Sequence, residues 1–187
     1  MTGPGEGVDV SAGDGTSTDA TDGAGMTGDE VLDSLVRLGN GLPFNRHLGT
    51  SVRSVGDGEA TTVLAASDAL TNHLGGVHAI AELAPVELAG ALAASSRLRP
   101  LLERGFVPVV GELAVRYVAP ADGELLAHAR VGPEVLAPAL AAADAGDKPK
   151  AVADVEVVDA DDTTVAEARL TFLYLDLSDT SVSDDPT

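Results

Sequence analysis

The sequence predicts an α+β protein in which an antiparallel sheet is wrapped around one long central helix, with a short helix at the N-terminal side. Three observations lead there. The longest apolar run in the chain, from Ala79 to about Arg97, has Gly75-Gly76 before it and Pro100 after it. The segments on either side alternate apolar and polar residues and are joined by short Gly/Asp turns, which is hairpin patterning. One apolar helix among hairpin-connected strands buries its surface when the sheet curls around it.

The elements follow in order. Thr27-Gly28-Asp29-Glu30 fits a capping box, and Val31, Leu32, Leu35 and Leu38 recur at helical spacing until Gly39-Asn40-Gly41. Leu42-Pro43-Phe44 is a connector. His47 to Val55 and Glu59 to Ser67 are expected as a hairpin around Gly56-Asp57-Gly58, a turn that needs positive φ. The loop Asn72-His73-Leu74-Gly75-Gly76-Val77-His78 leads into the long helix. Pro85 lies inside that helix, where it would remove a hydrogen bond and bend the axis at a cost of ~3 kcal/mol. Val107 to Val118 and Glu124 to Val131 are strands joined through Ala119 to Gly123. Glu134 to Ala145, opened by Pro133, is a short helix or lid. Lys150 to Asp159 and Thr164 to Leu177 form a second hairpin, with Ala166, Ala168, Leu170, Phe172 and Tyr174 on one face.

Residues 27–177 are expected as a single domain, roughly 150 residues and enough for one hydrophobic core. Residues 1–26 and 178–187 hold few large apolar side chains and read as disordered acidic tails. The chain carries 30 acidic against 11 basic residues, a net charge of -19. That surplus argues against nucleic acid and against anionic membranes as partners. Lys148 and Lys150 are the only lysines, and acids such as Asp57, Asp122 and Asp159 lie within the expected domain, a pattern suited to high salt. There is no cysteine, so no disulfide framework and no thiolate nucleophile or ligand. No basic-then-apolar leader is visible, and a cytoplasmic location is the default expectation. His47, His73, His78 and His128 have no metal-ligand spacing, and neither a metal nor another cofactor is expected. A Gly-x-Ser-x-Gly elbow is absent, which leaves serine hydrolysis unsupported.

Two acids lie within the apolar run. Glu87 has Leu83, Ala84, Gly90 and Ala91 as its helical neighbours, so burial there would raise its pKa and suit it to general-base work. Its alternative is a structural carboxylate or one on a dimer seam. Glu82 is the rival, four residues after His78 and about 140° around the helix from Glu87. His78 and the Ala79 N–H stand at the expected helix start, where free N–H groups suit a developing oxyanion. His78 equally suits a capping role. Gly75 and Gly76 would let a ligand approach the backbone.

The order of elements resembles the hotdog fold of the thioesterase superfamily. Asn72, His78 six residues later and Glu87 nine beyond it are similar to the pattern of phenylacetyl-CoA-type thioesterases. The Tyr-Val-Ala-Pro-Ala-x-Gly stretch from Tyr117 resembles the strand pair that follows their helix. The start Asn-His-x-Gly-x-Val-His-Ala is closest to a branch known as DUF4442, a domain of unknown function. The resemblance implies an acyl-CoA thioesterase, with Glu87 as base or nucleophile, the Ala79 N–H as oxyanion donor, and Asn72 and His78 orienting the site. Asn72 alternatively forms an Asx turn. Val110 and Gly111 fall in the expected substrate-binding strand. The resemblance also implies a homodimer or a dimer of dimers, with sites drawn from two chains. Arg97, Arg99, Arg104 and Arg116 are candidates for a CoA phosphate. Two departures from the family favour a non-catalytic acyl-ligand binding protein instead: Ala79-Ile80 replaces a glycine pair, and Val109-Val110-Gly111 carries no hydroxyl. A dehydratase is disfavoured because no His-x-Pro-type loop is present.

Overall fold

The computed structural model describes residues 28–177. The expected tails and the capping residue Thr27 lie outside the described residues. Helix α1, Gly28–Gly41, runs through the glycines expected to end it. Leu38 is exposed rather than part of the buried stripe. Gly39 makes the contact in its place: a Cβ there would lie 3.0 Å from Val52 and 3.1 Å from Leu88, so its absence lets α1 approach the central helix. Pro43–Leu48, expected as connector and strand start, forms helix α2. Pro43 presets the first turn, and Gly49 closes the helix in the left-handed region at φ 74°. His47 is therefore helical.

Strands β1, Thr50–Gly56, and β2, Glu59–Leu64, form the expected hairpin. Gly58 has φ 76°, and a Cβ on it would come within 2.5 Å of the Val131 carbonyl oxygen, so both the turn and its neighbour require glycine. The central helix α3 covers Leu83–Arg97 and starts one turn later than the sequence predicts. Residues 79–82 form tight turns instead: Ala81 N–H donates to His78 O at 2.8 Å and Leu83 N–H to Ile80 O at 3.2 Å. Pro85 consequently sits in the first turn of α3, where an N–H has no intrahelical acceptor. It sacrifices no helical hydrogen bond, and the expected bend has no cause. Its carbonyl accepts from Thr62 Oγ1 at 2.7 Å, which ties the helix start to β2.

Helix α4, Arg99–Glu103, leads to β3, Phe106–Tyr117. Then come β4, Leu125–Arg130, helix α5, Leu136–Asp144, and the hairpin of β5, Lys150–Val158, with β6, Thr164–Asp176. The six strands form one antiparallel sheet in the order β1-β2-β4-β5-β6-β3. The inner face holds Leu64, Leu125, Ala127, Leu170, Phe172 and Tyr174, buried against Val86, Leu88, Leu92 and Ala93 of α3. Alanine and glycine on the helix permit a close sheet: a Cβ on Gly90 would be 3.2 Å from Phe172 Cε2. The outer face carries charge, as in the Arg169–Asp154 pair at 2.7 Å. β3 is an edge strand.

Candidate active site

The loop before α3 is a closed structure held by Asn72. Its side-chain amide donates to Val77 O at 3.0 Å, and its Oδ1 accepts from Leu74 N–H at 2.8 Å. Asn72 N–H donates to Gly76 O at 2.8 Å, so this residue clasps both ends of the loop. Gly75 takes φ 90° with open space beside it, whereas Gly76 lies against the Ala121 carbonyl, which a Cβ would meet at 2.7 Å. Val77 N–H donates to Ala121 O at 2.8 Å. The Tyr117–Gly123 stretch therefore props the loop from the side, which the chain order did not reveal.

His78 is exposed, and its Nδ1 accepts from Ile80 N–H at 3.2 Å. That places the proton of the neutral ring on Nε2. The His78 carbonyl accepts from Ala81 N–H at 2.8 Å and Glu82 N–H at 3.2 Å. Its peptide plane is thus fixed with the Ala79 N–H on the opposite side. Among the described residues that N–H has no acceptor. The Ala79 carbonyl is held as well, by the Tyr117 hydroxyl at 2.7 Å. Tyr117 is a site residue that sequence reasoning placed only in a strand; the Tyr-Val-Ala-Pro-Ala run was its signal.

The two acids of the apolar run differ. Glu87 is exposed on a side of α3 that the sheet leaves open, yet partial desolvation by the surrounding protein raises its pKa. Glu82, the rival, is 4% exposed, and its Oε2 is buried without a hydrogen-bond partner among the described residues. Burial pushes its pKa from 4.5 up to about 7. Tyr117 is pushed up too, first by desolvation and then by the charge of Glu82.

Glu87 and the Ala79 N–H are eight residues apart. Glu87 lies within α3, whereas Ala79 lies in the turns that precede that helix. Gly90, one turn beyond Glu87, abuts Phe172, which pairs with Val110 of β3. The register shifts between Val110 and Glu112, so Gly111 is a bulge; a Cβ on it would meet Leu173 at 3.0 Å. Val107, Val109 and Val110 are exposed on this edge.

All four candidate arginines are engaged. Arg97 binds Asp57 Oδ2 at 2.8 Å, Asp57 O at 2.7 Å and Val131 O at 3.3 Å. Arg99 faces Glu103 at 3.9 Å, Arg104 meets Asp144 at 3.0 Å, and Arg116 pairs with Glu167. A concavity of about 490 Å³ lies on the outer face of the sheet between Arg116, Asp154, Glu167 and Arg169, and neither Glu82 nor Glu87 lines it. The Arg116–Glu167 and Arg169–Asp154 ion pairs form part of its wall. Among the described residues no cluster of His, Asp and Glu is placed to hold a metal, and no helix is long and apolar enough to cross a membrane.

A curved antiparallel sheet around one central helix, with the sixth place taken by β3, is the hotdog fold, and solved structures share it. A probable thioesterase from Pseudomonas aeruginosa matches with a TM-score of 0.66 and 20% identity, over 76% of this chain and 93% of that one. A thioesterase from Haemophilus influenzae matches with a TM-score of 0.64 and 19% identity, over 80% and 94%. The PaaI protein of the phenylacetic acid degradation operon of E. coli matches with a TM-score of 0.60 and 18% identity, over 79% and 93%. Within this thioesterase-like fold the chain belongs to the DUF4442 family, a domain of unknown function, whose model matches residues 35–174. Among curated proteins none matches the chain.

Proposed function

We propose that the protein is an acyl-CoA thioesterase acting as a homodimer or a dimer of dimers. The observation that carries the reading is the Ala79 N–H, without an acceptor among the described residues, on a turn braced by Asn72 and His78, with Glu87, its pKa raised by partial desolvation, exposed on the following helix. The two stand on different segments, Ala79 in the turns and Glu87 in α3, and in this reading Ala79 of one protomer serves Glu87 of the other. The exposed edge of β3 beside that helix face, with Val107, Val109 and Val110, is the proposed seam.

In this reading the Glu87 carboxylate takes a proton from water as the water oxygen bonds to the thioester carbonyl carbon. The carbonyl electron pair moves onto oxygen, where the Ala79 N–H receives it. Collapse of the tetrahedral species breaks the C–S bond, and the leaving thiolate takes the proton back. Attack by Glu87 itself would give an anhydride that water then opens. Gly75, open at φ 90°, and Val110 with Gly111 border the acyl path. Since Arg97, Arg99, Arg104 and Arg116 are paired, none is assigned to a CoA phosphate. The acidic composition fits work at high salt, and a cytoplasmic location belongs to the same proposal.

A second reading, an acyl-ligand binding protein without turnover, is favoured by the exposed Ile80 side chain beside the N–H and by the lack of a hydroxyl at Val109-Val110-Gly111. The test is free-thiol release from short, medium and aromatic acyl-CoAs in molar KCl, alongside thermal melting with each. Turnover supports the enzyme. A melting shift without turnover replaces it with the binding protein, and neither effect removes both readings.

A further inference from the structure

Glu82 and Tyr117 are not explained by the chemistry above. Glu82 lies in the turn that carries the Ala79 N–H, is almost sealed from solvent, and leaves Oε2 without a partner among the described residues. Tyr117 reaches from β3 to the same turn, 38 residues away in the chain. Both flanking peptide planes of Ala79 are pinned by this pair: the Glu82 N–H holds the His78 carbonyl, and the Tyr117 hydroxyl holds the Ala79 carbonyl.

We infer that Tyr117 and Glu82 are positioning residues for the Ala79 N–H, Tyr117 by fixing the carbonyl that follows it and Glu82 by governing the charge beneath the turn. The inference rests on the proposed oxyanion role of Ala79. A protonated Glu82 leaves the turn neutral, so the N–H dipole acts undiminished on a developing negative oxygen. An ionised Glu82 places an uncompensated anion in the same turn and opposes that charge at low local dielectric. The elevated pKa of about 7 puts this change near neutrality. Glu87 has the opposite requirement, because it must be ionised to take a proton. The two carboxyls thus set the two limbs of one pH profile.

The titratable groups that face Glu82 are Tyr117 of β3, whose ionisation its charge opposes, and His78, whose carbonyl accepts the Glu82 N–H. Glu87 lies within α3, five residues on from Glu82, which caps the start of that helix. Among the described residues no cation forms an ion pair with Glu82.

The test follows the Ala79 amide by ¹⁵N–¹H NMR from about pH 5 to about pH 9. A His78→Gln background removes the nearest imidazole, and Glu82→Gln and Tyr117→Phe are added to it separately. A step with its midpoint near 7 is expected in the background, absent in Glu82→Gln and at least halved in Tyr117→Phe. A missing step, or one that survives Glu82→Gln, overturns the inference. The readout needs no turnover, so the hydrolase reading can fail independently. Where thioester turnover is measured, kcat falls above about pH 7 in wild type and stays level there in Glu82→Gln. A fall that persists in that variant refutes the role of Glu82.

Discussion

Replacing Glu82 with glutamine removes a carboxyl that burial keeps protonated up to about neutral pH. The folded pKa is about 7 against an ordinary 4.5. At ~1.4 kcal/mol per pH unit, that gap is ~3 kcal/mol of stability that depends on pH. The folded chain binds this proton more tightly than the unfolded chain. The stabilisation is therefore fully present below about pH 4.5, declines as pH rises, and is lost once pH passes about 7. Glu82→Gln has no such slope. Its buried amide carries a separate penalty of ~1–3 kcal/mol for unpaired polar atoms, the same at every pH. Relative to wild type, the variant should gain ~3 kcal/mol between about pH 4 and about pH 8. For a domain of this size that is ~6–12 °C in Tm. Urea unfolding at a series of pH values and constant KCl measures it. Glu87, also raised, titrates in both proteins and cancels in the difference. Parallel curves, with a constant offset across the whole range, would show that Glu82 ionises normally in the folded chain, and the reasoning from its burial would be wrong.

Three further substitutions probe the proposed seam and the arginine contacts. Val110→Asp puts a charge on the exposed edge of β3 and should give a monomer by size exclusion with light scattering, with the far-UV spectrum unchanged; a wild-type monomer, or a variant that stays dimeric, rules out this seam. Arg97→Ala strips the donors from Asp57 O, Asp57 Oδ2 and Val131 O and should lower unfolding stability by ~2 kcal/mol. Arg104→Ala, which loses one surface pair with Asp144, should change it by less than ~1 kcal/mol, so equal effects would contradict the distinction.

Much of the fold was legible in the chain because its cause is local. Period-two alternation marked β1 to β6, and the alternate residues Ala166 to Tyr174 are all buried in the core as their spacing requires. Helix α2 was not, because Phe44, Asn45, Arg46 and His47 carry no apolar stripe. Its Pro43 and Gly49 were visible but had no periodic pattern between them. The start of α3 was misplaced because Ala79 to Glu82 suit a helix locally, while the hydrogen bonds of His78 set tight turns there. The proline then sits where it is harmless. The site was legible only in part. The spacing of Asn72, His78 and Glu87 could be read along one loop and helix. The contacts of Tyr117 with Ala79 and of Ala121 with Val77 join residues about 40 positions apart and depend on the wrap of the sheet. The contrast between Glu82 and Glu87 likewise comes from which side of α3 the sheet covers, and the sequence of the helix leaves both options open.

The central claim is that Glu87 does the chemistry. Thiol release from the best acyl-CoA, measured in molar KCl for wild type and Glu87→Gln at matched folded concentration, tests it most directly. A general base contributes ~10²–10⁴-fold, so kcat should fall by at least ~10²-fold in the variant while thermal melting shows it folded. A folded Glu87→Gln protein that turns over at close to the wild-type rate would contradict the account.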